Sequence, residues 1–188
     1  MRKLALALTL AFLSSGVTAK PAVFYIDSNH TEPRFEYDHF GYSNQIHSFD
    51  KTSGEIVYDR AAKTASVDII IDSKSVNTGF ALFNKLLQGP DYFDTAKYPT
   101  ITFKSTKVKF EGDKPVAIDG NLTIKGITKP VTLTLTSFKE MPHPIMKKDA
   151  IGANAVTKIK RTEFNMGKYV PNVSDEVTLL IAVEAVQH

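Results

Sequence analysis

The chain has no cysteine and no tryptophan among its 188 residues. Without thiols it can form no disulfide, no thiolate metal site and no cysteine nucleophile, so burial and hydrogen bonding alone must hold the fold. Charge of one sign is also scarce, with 23 Lys and Arg against 20 Asp and Glu. These charges are spread along the chain rather than gathered in blocks, so the basic footprint of a nucleic-acid binder is absent. Long apolar runs are missing too. The longest, residues 4–13, falls short of the roughly 18 residues that a membrane-spanning helix needs.

That short run fits another pattern. Arg2 and Lys3 precede it and the small residues Val17-Thr18-Ala19 follow, as in an export signal cut after Ala19. On this reading residues 1–19 are a removed signal peptide and residues 20–188 form a single domain. The mature protein is then periplasmic or secreted. The leader takes two basic residues and no acidic ones, which leaves the mature chain at +1.

What the chain has in abundance is alternation. Within residues 120–135, Leu122 and Ile124 alternate with Asn121, Thr123 and Lys125. Beyond Gly126, Ile127, Val131, Leu133 and Leu135 alternate with Thr128, Thr132 and Thr134. Period two on both sides of a glycine predicts two half-buried strands joined by a tight bend. Pro130 cannot donate a ladder hydrogen bond, so it is expected at a strand start, an edge or a bulge.

The same rhythm recurs through Phe35, Tyr37 and His39, through Ile56 and Tyr58, and through Ala65, Val67, Ile69 and Ile71. Ile101 and Phe103 are in phase, but Val108 and Phe110 fall on the opposite parity, which predicts a one-residue bulge within residues 105–107. Ile151, Ala153, Ala155 and Ile159 mark a strand of small side chains, and residues 177–185 mark the last strand. About eight strands result, spaced by turn-like residues at 50–54, 60–63, 111–115 and 126. The predicted fold class is all-β, an antiparallel sandwich or barrel.

Residues 78–90 break the rhythm. Apolar residues at 80, 83, 86 and 87 have helical spacing, predicting one short amphipathic helix over about 79–88. Asn77 or Thr78 is expected to cap it, and Gly89-Pro90 to end it. The loop that follows is rich in aromatics, so Tyr92, Phe93 and Tyr98 are expected to be at least partly buried.

Catalytic and metal-binding patterns are wanting. Residues 41–45 carry Gln45 where a nucleophile elbow needs glycine, and there is no HExxH and no glycine-rich phosphate loop. The histidines at 30, 39, 47, 143 and 188 do not cluster. His39 and His47 could meet across a hairpin, but two nitrogens fall short of the three or four ligands of a zinc site. No metal and no cofactor is expected. His39, in phase with Phe35 and Tyr37, reads either as a core histidine bonded to a neighbour or as a polar group against a ligand head. Phe35, Tyr37, Phe49, Phe83, Phe93, Phe103 and Phe164 either fill the barrel or line it. An eight-stranded barrel has room for side chains or for one small ligand. A helix laid near its opening, beside the small side chains of residues 152–155, would leave an elongated apolar tunnel.

Several segments together carry a family resemblance: Asp38-His39-Phe40-Gly41, Ser75-Val76-Asn77-Thr78, Asp91-Tyr92-Phe93, Ala96-Lys97-Tyr98-Pro99, residues 120–131, Arg161-Thr162-Glu163-Phe164 and Val173-Ser174-Asp175-Glu176-Val177. The chain resembles the YceI-like proteins, exported bacterial lipocalin-like barrels that bind polyisoprenoid lipids. The resemblance implies a closed or nearly closed antiparallel eight-stranded lipocalin-like barrel with one helix. An isoprenoid tail would thread its interior, with the head nearer the mouth. The candidate ligand-binding residues are then Phe35, Tyr37, His39, Phe83, Asn84, Leu86, Leu87, Phe93, Phe103 and Phe164. Two departures touch the head. Many members carry Arg-Asp, one residue, then His-Leu where this chain has residues 83–87, and Phe-Gly where it has Phe164-Asn165.

The expected function is a soluble periplasmic binding or carrier protein for an isoprenoid lipid of quinone or polyprenol type, or a similar long-chain amphiphile. No nucleic acid is expected as a partner, while a transient membrane contact and a homodimer stay open. Two alternatives remain: an enzyme acting on such a lipid with His39, Asn84 and Lys85 near the mouth, and a small outer-membrane barrel.

Overall fold

The computed structural model describes residues 20–187, so the export signal read in residues 1–19 lies outside the described residues. Eleven strands and one helix follow in order. They are β1 (Ala22–Ile26), β2 (Glu32–His39), β3 (Ser43–Phe49), β4 (Thr52–Asp59), β5 (Thr64–Asp72), β6 (Val76–Asn77), α1 (Ala81–Leu87), β7 (Thr100–Glu111), β8 (Lys114–Ile124), β9 (Ile127–Pro142), β10 (Asp149–Lys160) and β11 (Glu176–Gln187). Every pairing is antiparallel, and β11 closes the ring by pairing with both β1 and β2. β1 and β2 lie end to end along β11, and β3–β4 and β5–β6 are likewise single staves interrupted by short turns. The wall is therefore an eight-stave closed barrel, as predicted.

The best-marked hairpin forms as its alternation requires. Ile124 faces Ile127 across Lys125 and Gly126, which have φ of 52° and 73°. Both values are positive, the geometry of a two-residue turn whose twist matches the strands. Pro130 lies inside β9 opposite Asn121, but β10 pairs with β9 only from Thr134 onward. β10 runs on beside it to Lys160 without pairing, so no ladder bond calls for the missing N–H. The expected bulge is present: Ser105 faces Gly120 and Lys107 faces Asp119, leaving Thr106 as the extra residue. A second slip, which parity did not reveal, falls between Lys109 and Phe110.

One expected turn is partly a strand. β3 ends at Phe49 and β4 starts at Thr52, so Gly54 sits within β4 opposite Ile69. Its φ is 139°, and a Cβ there would stand 2.1 Å from the Asp68 carbonyl oxygen. The glycine records a close approach of two backbones, not a turn.

Side chains pointing inward form two stacked clusters. At one end Phe24, Ile56, Tyr58, Ile151 and Ala185 pack with Phe110 and Phe138. The Tyr58 ring stacks on Phe110 at 6.3 Å and meets Phe138 edge-on at 5.9 Å, forming a floor. The larger cluster holds Phe49, Phe93, Ile101, Phe103, Leu122 and Phe164 among others, with Leu87 of α1 packed into it. Outside, charges pair across the wall, Lys104 with Asp68 at 3.0 Å and Lys109 with Asp119 at 2.9 Å. A wall apolar within and charged without reverses the pattern of a transmembrane barrel, whose outer band must face lipid. That sets aside the outer-membrane alternative.

α1 is one residue shorter or more at each end than its periodicity suggested. Its N-cap is Phe80, with no side-chain cap. Asn77 and Thr78 instead fix the turn before it: Asn77 Oδ1 accepts from Gly79 N at 2.9 Å, and Thr78 Oγ1 accepts from Phe80 N at 3.2 Å.

Candidate ligand-binding tunnel

Between the floor and the open end lies a cavity of about 410 Å³, within the range of small-molecule sites. Its walls are apolar side chains from every stave, among them Ile69, Ile101, Leu122, Ala153, Ala155 and Leu179. Small residues keep it open. Ala153 and Ala155 present only methyl groups, and Gly120 lets the Phe103 ring lie back on the wall, where a Cβ would come within 2.4 Å of that ring. Among the described residues no Asp or Glu lines the cavity.

Eight of the ten residues named from the sequence line it: Phe35, Tyr37, His39, Phe83, Leu86, Leu87, Phe93 and Phe103. Phe35 meets Phe93 edge-on at 5.9 Å, and Phe93 in turn meets Phe49 at 5.2 Å. Asn84 and Phe164 do not line it. The Asn84 carboxamide oxygen accepts from Thr78 N at 2.8 Å and from the Thr78 hydroxyl at 2.7 Å, so it holds the turn before the helix. Phe164 falls on the 3-10 turn that follows β10, where strand parity no longer applies, and it is fully buried in the core. Lys85 is exposed on α1 and does not line the cavity either, so of the three residues named for an enzyme only His39 lines it.

The histidines exchange roles. His39 keeps the inward parity of its strand but is exposed at the mouth, edge-on to Phe40 at 4.6 Å. The core histidine is His47, 7% exposed, sharing a 3.1 Å hydrogen bond with the Tyr37 hydroxyl. The two do not meet across the hairpin, because His39 faces Ser43 and His47 faces Phe35. Burial holds the His47 imidazole below its ordinary value of 6.5. The unfolded chain then takes up the proton more readily than the native one, so stability falls as pH drops through the ordinary value. A His47→Gln variant, which keeps an acceptor for Tyr37, should show a shallower loss of melting temperature than wild type between about pH 7.5 and about pH 5. Parallel profiles would contradict that role.

The residue that sequence reasoning passed over is Arg161. It is 8% exposed, lines the cavity near the mouth, and donates to the carbonyls of Ser174 and Lys168 at 2.8 Å, of Val173 at 2.7 Å, and of Met166. Those bonds tie down the segment between β10 and β11, which also reaches β2 where Ser174 N donates to the Asp38 carbonyl at 3.0 Å. Within the segment Asn165 has φ 55° and ψ 40°. Glycine suits that left-handed conformation and asparagine tolerates it, so this departure leaves the turn intact and does not alter the tunnel. The loop aromatics behave as expected: Phe93 is buried, and Tyr92 and Tyr98 are half-buried.

Known proteins match this chain over the same span. A YceI-like domain model matches residues 24–185. Protein YceI of Escherichia coli O157:H7 is 39% identical over 191 residues, covering 100% of this chain and 99% of that one. Among solved structures, Burkholderia cenocepacia BcnA superposes with a TM-score of 0.73 at 26% identity, covering 85% of this chain and 99% of that one. A polyisoprenoid binding domain from Saccharophagus degradans superposes with a TM-score of 0.66 at 18% identity, over 89% of this chain and 99% of that one, a likeness of fold.

Proposed function

The chain belongs to the YceI-like family, and from that premise we propose that it is an exported binding or carrier protein for an isoprenoid lipid of quinone or polyprenol type. The observation that carries this reading is the tunnel: a cavity of about 410 Å³, open at one end, floored by Tyr58 and Phe138, and lined by apolar side chains from all eight staves. Such a space suits an apolar chain laid along the barrel axis. Each buried methylene contributes about 0.8 kcal/mol, so one five-carbon isoprene unit contributes roughly 3 to 4 kcal/mol before ordering costs. Two or three units therefore suffice for tight binding without any polar contact. That a polyisoprenoid binding domain shares this fold supports the ligand class. The export pattern in residues 1–19 supports work outside the cytoplasm, where a lipid-soluble cargo needs an aqueous escort.

Thermal unfolding of delipidated protein tests the proposal. A four-isoprene quinone or alcohol at about a hundred times its dissociation constant should stabilise by about 2.7 kcal/mol, raising the melting temperature by roughly 5 to 10 °C. The absence of a shift with either, across a range of tail lengths, would contradict it.

A further inference from the structure

The apolar surface does not stop at the mouth of the barrel. Twelve large apolar side chains are exposed among the described residues, and six of them belong to three segments at the rim. These are Phe40 and Tyr42 in the turn after β2, Phe80, Leu82 and Leu86 at α1, and Tyr169 between β10 and β11. Phe40, Leu86 and Tyr169 also line the cavity, so each carries the lining of the tunnel out to the surface. α1 buries little of its apolar character. Leu87 is its one buried residue, while Leu82 and Leu86, one turn apart on the same face, are 68% and 49% exposed. A single exposed leucine is ordinary, but a cluster around an opening marks an interaction face. The charges on this helix and its flanks are of one sign. Residues 73–90 contain Lys74 and Lys85 and no acid. Both lysines are exposed and have no ion pair among the described residues. The Gln88 carboxamide donates to the Lys74 carbonyl at 3.0 Å, which ties the two cations' segments together. Two acids of the neighbouring rim segments are engaged: Asp91 pairs with Lys168, and Asp38 accepts from Gly41 N at 2.8 Å.

We propose that this rim is a docking face for an anionic phospholipid bilayer, with α1 lying in the membrane interface and the mouth turned toward it. The inference rests on the carrier reading and adds its partner. An amphipathic helix with large apolar side chains on one face and lysine as its one charge has the composition of a segment that lies in such an interface. Phe80, Leu82 and Leu86 enter the boundary between headgroups and acyl chains, while Lys74 and Lys85 meet lipid phosphates. Tyr42 and Tyr169 suit the same depth, since the ring is apolar and the hydroxyl stays wet. A second copy of the chain fits less well. In a symmetric pair the patch meets itself, and residues 73–90 hold no acid to receive the lysines of the other copy. The contact is brief by construction, because a few side chains and two cations fall far short of a spanning segment. Docking in this pose also gives the cargo a dry path. A lipid tail leaves the bilayer along Leu86 and Phe40 and enters the tunnel without crossing water.

The test is flotation of lipid-free protein with vesicles of phosphatidylcholine alone and of equal parts phosphatidylcholine and phosphatidylglycerol. Wild type is expected to bind the anionic vesicles roughly tenfold more tightly than the neutral ones, and less tightly as salt is raised. Phe80 and Leu82 do not line the cavity. The double variant Phe80→Gln, Leu82→Gln is expected to cut vesicle binding at least tenfold while leaving quinone affinity within about twofold. Lys74→Gln with Lys85→Gln should cost roughly fivefold per lysine on anionic vesicles and little on neutral ones. Since the chain has no tryptophan, Leu82→Trp supplies a single reporter, whose emission should move to shorter wavelength on anionic vesicles. Ile145→Gln is the control. Ile145 is 84% exposed at the tip between β9 and β10, next to the floor residues Phe138 and Ile151, and its loss should leave docking unchanged. Failure to bind either vesicle, or binding that survives Phe80→Gln with Leu82→Gln, would overturn the docking face and leave the carrier reading standing. Binding lost in Ile145→Gln alone would place the contact at the closed end and overturn it too. A dimer that the Phe80 and Leu82 changes abolish, without vesicle binding, would make the rim a self-association face. Protein that docks as described yet takes up neither quinone nor polyprenol would keep the docking face and remove the carrier reading.

Discussion

Ala153→Phe should fold and lose its ligand. Ala153 lines the tunnel between Ile151 and Ala155, facing Val183 of β11 and Phe138 of β9 across the wall. A benzyl group there projects into space the structure leaves empty, so the substitution costs little or adds stability by filling a cavity. The tail pays instead. Blocking the lower tunnel excludes at least one isoprene unit, and the roughly 3 to 4 kcal/mol it contributes corresponds to a loss of at least a hundredfold in affinity. Titration with a four-isoprene quinone, alongside a melting curve, separates the two effects. Affinity within a few-fold of wild type in a normally folded variant would mean that the tail does not run through the barrel.

The largest expected effect on stability is at Gly54. Its φ of 139° lies where side chains rarely sit, and a Cβ would be 2.1 Å from a backbone oxygen that belongs to the paired strand and cannot swing aside. Strain of this kind and forced separation of two strands each cost about 1 to 3 kcal/mol. Gly54→Ala is therefore expected to lose about 3 kcal/mol or more, a fall in melting temperature of roughly 6 to 12 °C. Gly152→Ala is the control. Its nearest new neighbour would be the Val183 carbonyl oxygen at 4.0 Å, an ordinary contact, so this change should be neutral or slightly stabilising. A Gly54→Ala loss below about 1 kcal/mol, or equal losses at the two sites, would refute the close-approach account.

Most of the barrel wall could be read from parity because one face of each stave meets a dry interior and the other meets water. The rule also found the bulge at Thr106, since an inserted residue shifts every later side chain by one face. It failed where polarity and direction part company. In β3, Ile46 points outward and is half exposed while His47 points inward, so the hydrophobic signal runs opposite to the geometry. His39 shows the converse: its parity is inward, but its stave has run out of barrel, and inward at the rim means the opening. β1 is apolar at every position and β3 carries few apolar residues in phase, so neither alternates, and they show as strands through their pairing with β11 and β2.

The candidate site divides in the same way. Phe35, Tyr37, Phe93 and Phe103 could be named because large apolar residues in phase must line or fill a barrel. Phe164 could not be placed, because it was named as a large aromatic within a motif and falls on a 3-10 turn, where strand parity assigns no direction. Asn84 sat at a position where family members carry charge, yet its short side chain reaches back only to Thr78. Arg161 was visible within a motif, but its direction depends on four carbonyls supplied by residues 166–174, contacts that form only when that segment folds over β2.

The central claim is that the barrel encloses an isoprenoid lipid, and the most direct test is to weigh what it holds. Protein purified from its native host without detergent should, by native mass spectrometry, carry one bound molecule. Denaturing extraction should then release a quinone or related isoprenoid whose variants differ by whole isoprene units. A barrel that arrives empty from its own host, or one filled by straight-chain lipid with no isoprenoid among the released masses, would contradict the account.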